Sequence, residues 1–125
     1  MKPEDKDYAI TTDVKYGFQE LIDIHEIQAG VRDDWYNETL CKVNDSVARL
    51  GVVKGEFHWH KHDNEDEFFL CIDGVFYVEI ENGPTFELKP QQSVCVRRGV
   101  VHRTRAPERT TVLMIASAGV VPTGD

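Results

Sequence analysis

From residue 37 onward, the chain alternates hydrophobic and polar residues in short runs that are separated by turn-forming residues. A period of two is typical of β-strands that bury one face. The pattern predicts about nine short strands, and their spacing of roughly 8–12 residues is typical of an all-β sandwich or a closed barrel. The predicted strands cover residues 39–43, 46–53, 56–62, 68–72, 75–80, 85–88, 93–97, 101–104 and 110–115.

Two local patterns are more specific. The Asp-Gly pair at positions 73–74 stands between two predicted strands and is typical of a two-residue β-hairpin. Ahead of the strands, Phe18, Leu21 and Ile22 have helical spacing, which predicts a short helix that packs as a lid on the larger domain. Residues 1–13 are charged and weakly patterned, and we interpret them as a loose arm or an added edge strand.

The length of 125 residues fits a single domain. A chain of this size buries about two thirds of its unfolded surface, which is enough for one hydrophobic core. We therefore expect an N-terminal arm with the short helix in residues 1–36, a β-barrel in residues 37–118, and a C-terminal tail in residues 119–125.

The charge balance narrows the range of partners. Lys and Arg number 14 against 22 Asp and Glu, so the net charge is −8. Nucleic acids and anionic membrane surfaces require a basic footprint. No apolar run approaches the roughly 20 residues of a membrane span. We therefore expect neither a nucleic acid nor a membrane as a partner.

The first residues and the cysteines point to a compartment. The charged start of the chain lacks the apolar stretch of a secretory signal. Three cysteines, Cys41, Cys71 and Cys95, lie far apart and form no Cys-x-x-Cys pair. Their odd number and spacing indicate neither a disulfide framework nor a zinc knuckle. A reducing, cytoplasmic compartment fits this pattern best.

Histidines are concentrated on one predicted strand. Side chains two residues apart on a strand share a face, so His58, His60 and His62 are expected to point the same way. Glu67 opens the next strand, and His102 follows 35 residues later. A bare His-x-His pair also occurs on solvated faces. Its combination with a carboxylate and a distant histidine is a stronger indication of a metal site.

These residues resemble the two motifs of the cupin family. The stretch His60–Gly74 contains two histidines one residue apart, a glutamate after four more residues, and a glycine after six more. Gly99-x-x-His102 is similar to the core of the second motif. Residues 43–115 resemble a small single-domain cupin of the group related to mannose-6-phosphate isomerase, and the tail at 119–125 resembles that group as well.

The resemblance implies a double-stranded β-helix, or jelly-roll barrel, with a mononuclear divalent metal inside. The implied ligands are His60, His62, Glu67 and His102. Three imidazoles and one carboxylate suit Fe, Mn, Ni, Co, Cu or Zn, and the ligand types alone do not choose among these metals. The second motif departs from the family pattern at Arg97 and Ala106, neither of which is an implied ligand.

His58 has two interpretations. Strand alternation places its side chain inside the barrel beside the implied metal. It can be a core histidine that is hydrogen-bonded to a neighbour. Alternatively, it can be a catalytic general base or a substrate contact, because the ordinary pKa of imidazole near 6.5 suits proton transfer.

Alternation also assigns the neighbouring side chains to faces. Cys71 is expected to line the cavity, with Phe69 and Tyr77 as its walls. Outward positions are expected for Trp59, Arg103 and Arg105. Arg97 lies across a glycine turn, where it can either be solvated or pair with a carboxylate or phosphate at the barrel mouth.

Two functions remain open at this point. One is a metalloenzyme, with dioxygenase, isomerase and lyase chemistry all implied by the family, that acts on a small organic molecule. The other is a non-catalytic module that binds or senses a small molecule. The resemblance also implies a homodimer, for which the arm offers strand residues at positions 8–10.

Overall fold

The structure is a computed structural model that describes residues 8–125. The first part of the predicted arm, residues 1–7, lies outside the described residues. The described chain contains one helix, α1 (Ile24–Gly30). Its strands are β1 (Ala9–Val14), β2 (Trp35–Val43), β3 (Ser46–Glu56), β4 (Glu67–Asp73), β5 (Phe76–Ile80), β6 (Thr85–Leu88), β7 (Ser93–Val96) and β8 (His102–Ser117).

The long last strand β8 joins the two halves of the barrel. Its C-terminal half pairs antiparallel with β3 on one side and β4 on the other. Its first residues, 102–105, pair with β5, which in turn pairs with β6. The edge strand β1 adds to β2 in parallel. This arrangement confirms the predicted all-β jelly-roll fold.

The turn at Gly74 is present, but the predicted hairpin is wrong. β4 and β5 do not pair with each other, because each pairs with a different part of β8. Gly74 has φ 87, and a Cβ at this position would lie 2.4 Å from Oγ1 of Thr110. The glycine therefore allows a tight turn packed against β8, and this turn carries the chain from β4, beside one end of β8, to β5, beside the other end.

Two predicted strand boundaries also differ. The runs at 101–104 and 110–115 are parts of the single strand β8. The strand predicted over 56–62 is not regular, because β3 ends at Glu56 after a register shift beside Gly55, which has φ 112. In the segment that follows, only His60 keeps a β-bridge, and its partner is His102.

The helix begins later than predicted. Asp23 caps α1, since its Oδ1 accepts a hydrogen bond from the Glu26 amide. Phe18 and Leu21, which suggested the helix, lie outside it and are 78% and 88% exposed. The expectation that the helix packs on the larger domain is confirmed, because Ile24 and Ile27 of α1 pack on the outer face of β2 and β3.

The main core lies inside the barrel. It is formed by aromatic and aliphatic side chains from both sheets, namely Trp35, Val53, Phe57, Phe69, Cys71, Phe76, Val78, Leu88, Val96, Ala106, Val112 and Met114. Over residues 8–125, no helix is both long and apolar enough to cross a bilayer. The predicted division at residues 36/37 and 118/119 remains a prediction.

Candidate metal centre

The structure brings the side chains of the two motifs together at one end of the barrel. Each residue of the group offers one donor atom, and these atoms all lie within 4.8 Å of one another. The side chains are buried, with between 1% and 9% of their residues' surface exposed. The group consists of His60, His62, Glu67 and His102.

Backbone hydrogen bonds hold the two motifs against each other. His60 and His102 exchange both of their amide–carbonyl bonds, each at 2.9 Å. The Gly99 amide donates to the His62 carbonyl at 2.8 Å, so the turn of the second motif also fixes the end of the first. Gly99 has φ 80, a conformation that glycine adopts without strain.

Hydrogen bonds to carbonyl groups orient two of the imidazoles. Nδ1 of His60 lies 3.0 Å from the His58 carbonyl oxygen, and Nδ1 of His102 lies 2.9 Å from that of Val100. Because a carbonyl only accepts, each Nδ1 carries the proton and donates. The lone pair of each ring is then on Nε2, which is the arrangement of metal-binding histidines.

Three other imidazole nitrogens of the cluster have no hydrogen-bond partner in residues 8–125. Nε2 of His102 and both ring nitrogens of His62 are buried without a hydrogen bond among the described residues. Nε2 of His62 is 3.2 Å from Oε1 of Glu67, but this contact lacks the alignment of a hydrogen bond. Buried polar atoms without a partner are costly. A cation in the cluster would take one lone pair from His62 and one from His102, so the residues present are compatible with a divalent metal.

The electrostatics of the cluster favour the ligand forms of His60 and Glu67, whereas Glu67 raises the pKa of His62 against the effect of burial. Burial and the neighbouring His102 together lower the pKa of His60 to about 3. Burial opposes ionisation of Glu67, but His102 and His62 beside it prevail and lower its pKa to about 2. At neutral pH, His60 is therefore neutral and Glu67 is anionic, as metal binding requires.

The comparisons with known proteins agree with this geometry. Residues 50–117 match the Cupin domain family. The chain is a member of the cupin family. It is 35% identical over 85 residues to the uncharacterized protein YdbB of Bacillus subtilis (strain 168), a match that covers 68% of this chain and 75% of that protein.

Solved cupin structures are similar in fold. A cupin-2 domain containing protein from Shewanella frigidimarina NCIMB 400 has a TM-score of 0.70 and 24% identity, covering 76% of this chain and 92% of its own. A chain from the crystal structures of the DMSP lyases RdDddP and RnDddQII has a TM-score of 0.55 and 17% identity, covering 64% of this chain and 42% of its own. At these identities, the likeness shows the fold alone.

The C-terminal residues of this cupin contact the segment that carries His60 and His62, which the sequence did not indicate. The Asp125 amide donates to the Lys61 carbonyl at 2.9 Å, and its Oδ2 accepts from the Asp63 amide at 2.6 Å. Gly124 lies against the His60 ring, and a Cβ on it would be 2.6 Å from Cβ of His60. We call residues 120–125 the tail clamp, because they pack against and hydrogen-bond the segment that carries His60 and His62.

His58 lies beside the cluster but outside the group of donors. Its Nε2 lies 2.6 Å from the carbonyl oxygen of Thr123 in the tail clamp. Nε2 therefore donates, and Nδ1 accepts from the Tyr8 hydroxyl at 3.2 Å. The ring thus connects the N-terminal segment with the tail clamp, while its centroid stays 5.3 Å from that of His60.

A small cavity of about 20 Å³ adjoins the cluster inside the barrel. It is lined by Trp35, Asn37, Gly51, Val53, Phe57, His60, Glu67, Phe69, Phe76, Thr104, Val112, Met114 and Pro122. Phe69 is therefore a wall, as predicted. Cys71 is fully buried in the core and does not line this cavity, so its predicted place is wrong.

Tyr77 is not a wall either. Its hydroxyl donates to Glu87 at 2.7 Å, and its ring packs under the Arg105 guanidinium on the outside of the barrel. The outward positions of Arg103 and Arg105 are confirmed, since both form ion pairs with Glu79. Trp59 is exposed and packs under Arg103.

The face of β2 and β3 inside the barrel carries buried polar residues whose direction the sequence pattern does not determine. Arg49 is 2% exposed and donates hydrogen bonds to the side chains of Thr39 and Asn37. The sequence contained a signal for this buried cation. Arg49 is the one charged residue in the run 47–53, and both faces of that run are apolar enough to be buried.

Proposed function

We propose that this cupin is a metalloenzyme that acts on a small organic molecule. It would bind one divalent transition metal, chosen from Fe, Mn, Ni, Co, Cu and Zn, through His60, His62, Glu67 and His102. The observation that carries the proposal is the set of unpartnered, buried imidazole nitrogens around an ionised Glu67. Imidazole and carboxylate donors suit all of these metals.

A bound metal of this kind supplies Lewis-acid or redox chemistry, which covers the dioxygenase, isomerase and lyase classes. The protein contributes the surroundings. Phe57 and Phe69 give the cavity apolar walls, and Pro122 of the tail clamp closes part of it. Such walls exclude water and strengthen electrostatic interactions inside the site.

His58 is the proposed proton-transfer residue. A general base needs a free lone pair, and the Nδ1 lone pair of His58 is occupied by the Tyr8 hydroxyl. Catalysis by His58 therefore requires this bond to open when a substrate binds.

The second candidate function is a non-catalytic module that binds or senses a small molecule. Among the residues that line the cavity, only His60 and Glu67 titrate, and both are proposed ligands. The cavity itself thus holds no additional acid or base, which favours binding without turnover. A survey of small organic acids for turnover by the metal-loaded protein separates the two functions, because only an enzyme converts one of them.

Metal binding is tested with a double variant, His60→Ala with His62→Ala. We expect it to keep the β fold by circular dichroism and to lose the tightly bound cobalt that the parent retains in equilibrium dialysis. The matched control is His25→Ala, because His25 is an exposed histidine on α1. Cobalt retention by the double variant equal to that of the control would refute the ligand set.

We also propose a cytoplasmic homodimer. The three free thiols favour a reducing compartment. Edge strand β1 has a free side, and exposed Phe18 follows it in the chain. A second copy would cover both features. Light scattering at micromolar concentration should give twice the mass of the 14.3 kDa chain. A monomer mass would rule out the dimer.

A further inference from the structure

Arg49 is a buried cation on the inner face of the barrel. In the sheet it lies opposite Met114 of β8, which lies opposite Phe69 of β4. Glu67 is two residues before Phe69 on the same strand and therefore points to the same face. Arg49 thus points into the interior that contains the metal centre.

The guanidinium has hydrogen bonds but no counter-ion. Its two partners, Thr39 Oγ1 and Asn37 Oδ1, are neutral acceptors. No carboxylate of residues 8–125 lies within ion-pair distance of it. Burial lowers the pKa of Arg49 to about 10, against the opposing influence of Glu67 and Glu38. The side chain is therefore charged at neutral pH.

Asn37 connects this cation with the metal centre. Its side chain accepts from Nη2 of Arg49, and it lines the same cavity as His60 and Glu67. Since its oxygen faces the guanidinium, its amide NH₂ is free to donate to a ligand in the cavity. Asn37 therefore presents N–H groups to the space beside the proposed metal, and Arg49, which does not itself line the cavity, places a positive charge directly behind it.

Metal binding would increase the charge imbalance in this interior. Within residues 8–125, Glu67 is the only carboxylate that lines the cavity, and a bound divalent ion would neutralise its negative charge. The Arg49 charge would then be left with Glu38, which has the smaller influence on it and is already paired with Lys15 at 3.6 Å. An uncompensated buried charge is strongly unfavourable, so the loaded barrel favours an anionic ligand.

We propose that Arg49 and Asn37 form the recognition site for the carboxylate of an anionic ligand that binds beside the metal. This inference rests on the proposed metal site and specifies its substrate class as small organic acids. Asn37 would donate to the carboxylate directly, and the Arg49 charge behind it would favour an anion over a neutral ligand. The cavity of about 20 Å³ accepts only a small group, so a larger acid would leave its remainder at the mouth beside Pro122.

The test introduces a carboxylate next to Arg49 by mutation, so that Arg49 has an anionic partner within the protein. In the variant Asn37→Asp, a carboxylate of nearly the same shape replaces the amide that already bonds Arg49. It should compete with an external carboxylate. The control is Asn82→Asp, which adds the same charge in an exposed turn. Acetate is the probe and acetamide its neutral twin, and both are titrated into cobalt-loaded protein while the visible cobalt absorption is followed.

We expect acetate, but not acetamide, to change the cobalt spectrum of the parent and of Asn82→Asp with similar affinity. Asn37→Asp should bind equal cobalt but bind acetate about tenfold more weakly or worse, because the introduced carboxylate pairs with Arg49 and repels the probe. Its apo form should melt at a temperature no lower than the parent, since the new carboxylate pairs with Arg49.

A second variant guards against misfolding of the first. Arg49→Lys keeps the charge and loses the planar fork, so it too should weaken acetate binding. The inference is overturned if acetate binds both variants as it binds the parent, if acetamide binds as well as acetate, or if the loaded parent binds neither. Absence of bound cobalt in the parent would instead refute the metal site, and this inference with it.

Discussion

The two faces of the sheet formed by β2 and β3 are both buried, but their chemistry is opposite. The outer face carries Leu40, Leu50 and Val52 beneath α1. The inner face carries Asn37, Thr39 and Arg49, all at most 8% exposed. The inner face thus combines core residues such as Trp35 and Val53 with a buried polar group, whereas the patch beneath α1 on the outer face is aliphatic.

The two faces of this pair of strands therefore have different roles in the stability of the fold and in ligand binding. Burial of aliphatic side chains contributes stability roughly in proportion to the area removed from water. Burial of a guanidinium is favourable only where hydrogen bonds and an anion compensate it. The outer face therefore stabilises the fold, and we attribute the polar inner face to ligand binding. Substitutions on the two faces should accordingly affect different measurements.

The largest effect on stability is expected on the outer face. Leu50→Ala removes a fully buried side chain beneath α1 and should lower the free energy of unfolding by about 2–5 kcal/mol. Metal stoichiometry should stay the same. Denaturant unfolding and metal analysis measure the two quantities, with Leu21→Ala, which is 88% exposed, as the control. Loss of metal in the folded Leu50→Ala protein would contradict the separation.

A substitution in the tail clamp should affect both quantities. Gly124→Ala places a Cβ 2.6 Å from that of His60, at a position with φ 93. We expect a loss of about 1–3 kcal/mol in stability and about tenfold weaker metal binding, because His60 must move. Gly119→Ala, in the segment just before the clamp, would meet no atom within 4 Å and is the control. Unchanged metal affinity in Gly124→Ala would remove the clamp from the site.

The pH dependence of the apo protein should report on the inner cluster. The pKa of His60 is lowered to about 3 from its ordinary 6.5, so between these values the unfolded chain binds a proton that the folded chain does not. His60 should therefore lower stability by up to about 2 kcal/mol between pH 6.5 and 4.5, and the raised pKa of His62 opposes this fall only near and above pH 6.5. Below pH 4.5, protonation of Glu67 in the unfolded chain adds to the fall.

This dependence is checked by urea unfolding of apo protein at several pH values. His60→Gln should flatten the curve between pH 6.5 and 4.5, whereas His25→Gln on the outside should not. A parent curve that is flat in this window would mean that His60 titrates normally in the folded protein.

The smallest effect on stability is expected for His58→Gln. Loss of the hydrogen bonds to Tyr8 and Thr123 should lower stability by about 1 kcal/mol and leave metal stoichiometry unchanged. If His58 is the base, turnover should also fall about 10²–10⁴-fold. Loss of metal in this variant, with retention in His62→Gln, would overturn the ligand set. Normal turnover would remove His58 from the mechanism.

Local patterns were sufficient for most of the fold. Alternation located the strands, and the motif spacing selected the four side chains that the structure brings together. The hairpin at Gly74 was wrong because pairing with the two ends of β8 is a long-range choice that a two-residue turn does not encode. The helix was displaced because the Asp23 cap, and not the spacing of Phe18 and Leu21, sets where it begins.

The features that local patterns missed depend on residues distant in sequence. Asp125 bonds residues near position 62, and nothing around Gly124 reveals that it packs on His60. The direction in which Arg49 points was equally undetermined, because both faces of β3 are buried. The side chain of Cys71 points into the barrel, as strand alternation predicts. It packs in the hydrophobic core there and does not line the cavity.

Anomalous X-ray diffraction at the absorption edge of the bound metal tests the central claim most directly. We predict one peak per chain, at about 2.0–2.2 Å from a Glu67 oxygen and from Nε2 of His60, His62 and His102. His62 also lies within 4.8 Å of carboxylate oxygens of Glu65 and Asp125, near the tail clamp. A peak there, or no peak among His60, Glu67 and His102, would contradict the account.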